Sequence, residues 1–494
     1  MHNWINNFST QEIILSDGHE GWNKAILNER ISKISEALLA RKNPKAPIGI
    51  LAHNTPEWIA VDLATQALGI TLVPLPSFFT SNQLVHTIRT SGIQALFCSN
   101  NEFARNLGFV FKTNYKGTLS LFESASTITS IASVVNINNV QKITFTSGTT
   151  SEPKGVCLST QQQWDVAKAL AVSLRSLGIK KHLNLLPLPV LLENIAGVYT
   201  AFLCGAENIC LPLADVGLLG ASQFKADTCI NAINKYQAES VILLPQMLQA
   251  LIINSTQNDP RLKSLKFVAV GGAKIPEGLI LAARAKGIPA YEGYGLSECS
   301  SVVTLNTPSS DKLGSVGQPL GNRKIRIAKD GEIEIAGQGA THYLGESVTS
   351  NEWLATGDLG HLDEEGYLFI DGRKKNVLIT SFGRNVSPEW PESLLLGSSV
   401  IAQAVVMGDG QASLTALIVP VNTSISGIQI KQAIDQVNQQ LPDYARISNW
   451  LLAEPMTPAN GFTTINGRPK RKAIESHYKQ ALDELYTQPA SQVI

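Results

Sequence analysis

Through most of its first 375 residues the chain alternates short apolar runs with segments of helical period, and that alternation admits few architectures. IGILA (48–52) reads as a buried strand, and Pro56 opens a helix in which Trp58, Ile59, Val61, Ala64, Ala67 and Leu68 fall near a 3.6-residue period until Gly69 stops it. TLVPL (71–75) follows as the next strand, Thr80 or Ser81 caps a helix that buries Leu84, Val85 and Ile88, and ALFC (95–98) returns to strand. KFVAV (266–270), the Gly271–Gly272 break and the helix PEGLILAARAKG repeat the unit. Strands alternating with helices predict an α/β chain built of layered, largely parallel sheets.

Around residues 331–371 the texture changes to GEIEIAG and GYLFIDG, short alternating runs between glycines that predict a small antiparallel β subdomain. Beyond GRKKN (372–376), strands are expected near 400–407 and 414–420 and a helix over about 428–440, a smaller α+β unit. A chain of 494 residues exceeds what one hydrophobic core sustains, so a boundary near Lys375 is expected, with a large multi-subdomain N-terminal domain over 1–374 and a mobile C-terminal domain over 375–494. No internal repeat or low-complexity tract interrupts either part.

Composition removes several function classes. Forty basic and forty acidic side chains cancel, which leaves no broad positive surface for a nucleic-acid backbone. The six cysteines form no C-x-x-C pair and read as reduced thiols filling the core. The first residues lack the basic-then-apolar order of a secretory signal, so export is not expected. The most apolar region, 183–220, is broken by Glu193, Asn194, Glu207 and several prolines, too often for a bilayer span. A cytoplasmic location follows, with any membrane contact transient. None of the eight histidines forms an H-x-x-H or Cys/His cluster, and no structural metal is expected.

The segment ITFTSGTTSEPKGVCLS (143–159) stands apart. An apolar run, Ile143 to Phe145, gives way to Ser, Thr and Gly and closes on Pro153, Lys154 and Gly155. A strand ending this way exposes hydroxyls and unpaired backbone N–H groups, and its glycine permits the positive φ angles that turn successive N–H groups into an anion nest. Lys154 adds a mobile positive charge for outer phosphates. The order is not G-x-x-x-x-G-K-[ST], because Lys154 precedes Gly155 and Val156 follows, which disfavours a simple ATPase of the P-loop type. On composition alone such a loop is more often a plain connection than a nucleotide site, so its company decides.

That company is TSGTTSEPKG, then YEGYGLSE (291–298), TGDLG (356–360) and GRKKNVLITSFGRNVSPEWPE (372–392). In order and separation these resemble the signature series of the adenylate-forming superfamily of acyl-CoA synthetases, luciferases and peptide-synthetase adenylation domains, over about residues 45–485. NTPEWIAVDLATQALGITLVPL (54–75) is similar to that family's amino-terminal pattern, and ITSFGRNVSPEWPE looks closest to its long-chain fatty acyl-CoA ligase branch. The resemblance implies that a carboxylic acid is joined to the α-phosphate of ATP with Mg2+, pyrophosphate leaves, and the acyl group passes to the thiol of CoA or of a phosphopantetheine carrier such as acyl carrier protein.

The same resemblance assigns roles. Ser147, Gly148, Thr149, Thr150 and Lys154 match the phosphate loop, with Thr149 in the catalytic set and Ser151 where a second glycine is usual. Gly271, Gly272 and Ala273 match the backbone wall of the adenine site. In YGLSE, Tyr294 offers a ring to adenine beside Gly295, Ser297 a hydroxyl to the α-phosphate, and Glu298 a hard carboxylate for Mg2+. Asp358 and Arg373 match ribose contacts, Lys375 the interdomain hinge, and Gly383 the border of the thiol channel. Without the family, Tyr294 reads as core, Glu298 as a solvated acid, and TGDLG and SFGRN as plain turns.

Two departures carry weight. The family usually ends in a G-K-x-x-R motif whose lysine bridges the carboxylate and the α-phosphate, and NGRPKRKAI puts Arg468 at that point. A planar guanidinium does not simply replace a compact ammonium. Lys470, on the same face of an extended segment about 6–7 Å away, is the alternative, and one of the two is expected to assist adenylation. In LPLPVLLENIAG (186–197) the family often has His or an aromatic where Val190 stands, and its amino-acid-activating members place Asp where Leu191 stands. An unpaired ammonium there would cost several kcal/mol, so α-amino acids are disfavoured. Apolar VLLENIAGVYTAF and CSSVVT predict a pocket for an alkyl chain or aryl ring, with a medium- or long-chain fatty acid as the expected substrate. The alternatives are an aryl-CoA ligase, an acyl-carrier-protein ligase, or a silent homologue that binds acyl groups and nucleotide without turnover.

Overall fold

The computed structural model describes residues 3–115, 119–124, 140–146, 153–219, 223–337, 342–346, 352–381, 384–464 and 467–487. Among them, one sheet of nine strands and one of eight form the large domain. In the eight-stranded sheet the parallel strands Lys142–Thr146, Leu72–Pro74, Ile48–Leu51 and Ala95–Cys98 sit at the centre. In the nine-stranded sheet the parallel set includes Lys181–Leu183, Ser240–Leu243, Phe267–Val270 and Ala290–Leu296.

Both sheets are parallel at the centre, as expected, and turn antiparallel toward their edges. Lys154–Leu158 pairs antiparallel with Lys142–Thr146, and Ser301–Leu305 pairs antiparallel with Ala290–Leu296. The reason is connection length: a parallel return needs a crossover of a dozen or more residues, and only Ser297–Ser300 separate the second pair.

Successive side chains of a strand face opposite ways, and the buried clusters follow that rule. Ile48, Ile50, Leu72, Ala95 and Phe97 point into the largest cluster, which joins both sheets through the helices Lys24–Leu39, Pro56–Leu68 and Thr160–Leu174. Leu51, Val73, Leu96 and Cys98 face a separate outer layer with the helix Ser81–Ser91. The helices end where local chemistry says they should. Thr55 accepts the Trp58 N–H ahead of Pro56, Gly69 stops that helix at φ 63°, and capping boxes on Thr80 and Ser159 start two others.

The four antiparallel strands Lys324–Ile327, Glu332–Ala336, Leu354–Leu362 and Leu368–Arg373 make the small sheet that the glycine-punctuated runs announce. Beyond it, Ile401–Met407, Leu414–Pro420 and Ile447–Leu452 pack Gly427–Asn438 on one face and Arg471–Thr487 on the other. Five cysteines are buried and Cys204 partly so, all as free thiols, and burial pushes Cys157, Cys229 and Cys299 up to about 12. Among the described residues no helix is long and apolar enough to cross a membrane.

One charge lies at the centre of the large domain. Lys142, with no exposed side-chain surface, spends its three N–H donors on Asp62 Oδ2 (3.0 Å), Asn194 Oδ1 (2.5 Å) and the Tyr199 hydroxyl (2.9 Å). Tyr199 and Asn194 donate in turn to Asp62 Oδ2 at 2.6 and 3.0 Å, Gln66 donates to the Tyr199 oxygen, and the Trp164 indole N–H closes the network on Gln66. Burial pulls the Lys142 pKa down against the opposing charge of Asp62. The network fastens the strand that runs toward residue 147 to the helix Pro56–Leu68 and to the π-helix Leu192–Tyr199.

Removing one partner of such a buried pair leaves the other charge uncompensated, so Lys142→Met should cost roughly 3–5 kcal/mol. The double variant Lys142→Met/Asp62→Leu should recover part of that loss; denaturant unfolding of the three proteins checks it, and equal stability of single variant and parent would refute the account.

Glu292 is a second buried acid, pushed up to about 8 by burial, with Lys274 and the Ile275 N–H pulling against the shift. A raised folded-state pKa contributes stability that is complete below the unfolded value and lost as pH rises through about 8. Relative to Glu292→Gln, the parent should therefore lose about 1 kcal/mol of stability per pH unit from about pH 5 to 8. Melting both proteins across that range tests it, and a constant difference would contradict it.

Candidate active site

A cavity of 1160 Å³ opens between the two domains, lined on one side by the strand ends of the nine-stranded sheet and on the other by Lys375, Met407 and Arg468. A single small ligand fills about 300–1000 Å³, so there is room for two co-substrates.

At one end the backbone shapes the wall. Gly272 follows the strand Phe267–Val270 at φ 91°, which a side chain would resist. Gly295 lies where a Cβ would strike the Ser301 carbonyl, so the strand Ala290–Leu296 can bulge there and turn into Ser297–Cys299. Ser300 and Ser301 take φ 57° and 98°, an unusual pair of non-glycine residues in that region, one residue beyond the YGLSE segment. Ser297, Glu298, Tyr294, Gly271 and Gly272 line the cavity together.

Asp358, buried, holds the base of this end. Its Oδ2 accepts the Tyr294 hydroxyl at 2.6 Å, and its Oδ1 accepts Arg373 Nε at 2.6 Å. Burial raises the carboxyl's pKa and the Arg373 charge opposes it, while Tyr294 is pushed well above its usual value by burial and by that same carboxylate. Two of about four acceptor sites are thus taken. Tyr294 is fixed by its hydroxyl rather than left as a bare ring.

Glu298 is reached from a different direction. Its Oε1 accepts the Tyr343 hydroxyl at 2.6 Å, and Lys154 Nζ lies 5.3 Å from the centroid of the same Tyr343 ring. Lys154, Tyr343 and Glu298 therefore converge from three remote stretches of chain. Ser147, Gly148, Thr149, Thr150, Ser151 and Gly383 lie outside the described residues. Among the described residues no group of three or more His, Cys, Asp or Glu could hold a metal alone. Glu298 fits Mg2+ in the manner of an ion held by one carboxylate and the oxygens of its ligand.

Arg468 crosses the domain boundary and donates from Nε to the Gly272 carbonyl at 3.0 Å. At the cleft mouth it is open to solvent yet hemmed by protein: burial and Arg373 lower its pKa, while Asp358, Tyr294 and Glu298 oppose the shift. Lys470 lines the same cavity with an exposed side chain, its backbone N–H tied to the Phe462 carbonyl. Lys375 sits in the short turn Lys374–Asn376 at the domain junction, its pKa lowered by burial and by the charges of Arg373 and Arg468. Ala273 follows Gly272 on the same loop, half-buried.

The other end of the cavity is apolar. Ile242, Leu244 and Ala269 from the sheet face Ala196 and Cys204, and Leu170 and Leu174 close the side. At the bottom lie three residues the sequence does not single out for this role. His182 Nε2 is 2.9 Å from Glu193 Oε1 and its Nδ1 2.9 Å from Ser240 Oγ, with Glu193 wholly buried. Glu193 reads in the sequence only as a break in an apolar stretch. A buried acid in such a run is a signal in itself, because it has to be paired with donors.

Residues 2–357 match the AMP-binding enzyme family and residues 375–490 the AMP-binding enzyme C-terminal domain. The 2-succinylbenzoate–CoA ligase of Oceanobacillus iheyensis is 30% identical over 73% of this chain and 75% of its own, and that of Bacillus subtilis 27% identical over 77% and 78%. An anthranilate CoA ligase solved with anthranoyl-AMP superposes with a TM-score of 0.81 at 18% identity, covering 97% of both chains. By name these proteins take aryl acids, whereas the motif at 379–392 looked closest to the long-chain fatty acyl-CoA ligase branch.

Proposed function

The chain belongs to the AMP-binding enzyme family, and on that premise we infer that it joins an aromatic carboxylic acid to CoA. The reaction is ATP-dependent activation of the acid to an acyl-adenylate followed by transfer to CoA, with Mg2+. ATP supplies the α-phosphate to which the carboxylate bonds, with pyrophosphate as leaving group. One observation carries the reading: a single cavity joins a polar end, lined by Glu298, Arg373 and Arg468 with Asp358 buried behind Arg373 and Tyr294, to an apolar end lined by Ile242, Ala269 and Ala196.

In this reading the residues divide the work by position. Asp358, held by Tyr294 and Arg373, accepts hydrogen bonds from the ribose. The backbone of Gly271 to Ala273 flanks the base, and Ser297, Glu298 and Lys154 face the phosphates. Arg468 neutralises charge where carboxylate and α-phosphate meet, a site where positioning and electrostatics supply most of the rate. Lys375, between the domains, is placed to serve the hinge. A medium-length alkyl acid is the second reading, favoured by the depth of the apolar end. From Gly271 back to Phe267, four residues along one strand, the wall runs about 13 Å.

Acid-dependent exchange of labelled pyrophosphate into ATP, run with aryl, alkyl and α-amino acids, should be strongest with aryl acids and absent with α-amino acids. A clear preference for alkyl acids would replace the first reading by the second, and activity with α-amino acids would overturn both. Arg468→Ala should reduce exchange by about 10²-fold or more while Lys470→Ala stays within a few-fold of the parent. Two fully active variants would remove Arg468 from the adenylation step.

A further inference from the structure

The far end of the apolar cavity is built with an unusual economy of donors. Ser240, Ile242 and Leu244 alternate along one wall and Phe267, Ala269 and Gly271 along the next, and the register sets Ser240 beside Phe267. Gly271 belongs to the nucleotide end, so Ser240 and Phe267 mark the opposite limit. His182 is the register partner of Ser240 on the adjacent strand, and both line the cavity.

Proton positions follow from Glu193. Its Oε2 accepts the N–H groups of Leu185 (3.1 Å) and Leu186 (2.8 Å), and its Oε1 accepts Asn184 Nδ2 (3.0 Å) and faces His182 Nε2 (2.9 Å). A carboxyl ringed by N–H donors is an acceptor on both oxygens, which places a proton on His182 Nε2. In a neutral imidazole the other nitrogen then accepts, so Nδ1 takes the Ser240 hydroxyl proton. Thr200, which also lines the cavity, gives its hydroxyl proton to the Ile195 carbonyl at 3.1 Å. Both hydroxyls have their donors committed inward and keep only lone pairs for a ligand.

The architecture accommodates this array closely. A Cβ at residue 197 would collide with Glu193 Oε1 and His182 Nε2, so the glycine in the π-helix is what lets the two approach. No lysine or arginine lies at this floor: the cavity-lining Lys and Arg side chains among the described residues are Lys154, Arg373, Lys375, Arg468, Lys470, Arg471 and Lys472, at the nucleotide end. The segments outside the described residues contain one lysine, Lys116, and no arginine.

We propose that Ser240 and Thr200, with His182 and Glu193 behind Ser240, form a hydrogen-bond-accepting floor that selects an acid carrying a neutral donor, a hydroxyl or amino group, remote from its reacting carboxyl. This rests on the apolar end being the acyl pocket. A second carboxylate would meet lone pairs with no counter-charge and is rejected, because burying an unpaired charge is costly. His182 and Glu193 are positioning residues, since they act through Ser240. In this respect the chain parts from relatives named for 2-succinylbenzoate, which bears two carboxyl groups.

The test uses two matched sets in pyrophosphate exchange: cinnamate, 4-hydroxycinnamate and 4-carboxycinnamate, then octanoate, 8-hydroxyoctanoate and octanedioate. In the better-accepted set the hydroxy acid should show a KM roughly tenfold below the unsubstituted acid, and the diacid no measurable exchange. Ser240→Ala should erase the tenfold advantage, raising KM for the hydroxy acid about tenfold more than for the unsubstituted acid or for ATP. Thr200→Val provides a second, near-isosteric probe in case the first variant folds poorly. Turnover of a diacid equal to that of its hydroxy partner, or a Ser240→Ala loss equal for all acids, overturns the proposal while the ligase reading stands. Exchange with no acid of either set overturns that reading and the floor with it.

Discussion

Lys142 is the constraint on which both halves of the cavity rest. Its ammonium is wholly buried and has three acceptors, drawn from the helix Pro56–Leu68 and the π-helix Leu192–Tyr199. The strand it begins runs toward the residues that match the phosphate loop. Adjacent side chains of the π-helix then divide the work. Asn194 turns to Lys142, while Glu193 turns to His182 and the backbone of Leu185 and Leu186. A wide turn makes this division feasible, and such turns occur often at functional sites. The placement of the apolar end of the cavity and of the strand Lys142–Thr146 is thus one packing problem, with two polar clusters held by neighbouring residues of one helix.

At the polar end of the cavity the controlling geometry crosses a domain boundary. Asp358, Tyr294, Arg373 and Glu298 belong to the large domain, whereas Arg468 arrives from the smaller one and is anchored to the Gly272 carbonyl. In the proposed reaction, charge neutralisation therefore depends on how the domains dock. An arginine here has a fork to hold both a carbonyl and an anion, which an ammonium manages less specifically.

Much of the fold is legible in the sequence because its signals are local. Thr55, Pro56 and Gly69 bracket one helix, Thr80 with Gln83 starts another, and the glycine-punctuated runs after residue 331 become a four-stranded antiparallel sheet. The antiparallel edges were written in the four residues between two strands, a distance that alternation alone does not weigh. Of the residues drawn from the motifs, Lys154, Gly271, Gly272, Tyr294, Ser297, Glu298, Arg373 and Arg468 line one cavity. The buried charges do not reveal themselves this way. Lys142 stands at the head of an apolar run, and its partners Asp62 and Asn194 lie 80 and 52 residues away. Ser240 is an ordinary strand start until His182, 58 residues distant, is beside it.

The central claim is that one cavity holds the nucleotide against Asp358 and the acyl group against Ser240, with Arg468 between them. A crystal structure of the chain with 4-hydroxycinnamoyl-sulfamoyl adenosine tests it most directly. The account predicts the ribose hydroxyls on Asp358, the sulfamoyl linker beside Arg468, and the phenol hydroxyl donating to Ser240 or Thr200. A ribose placed away from Asp358, or an acyl group directed out to solvent, would contradict it.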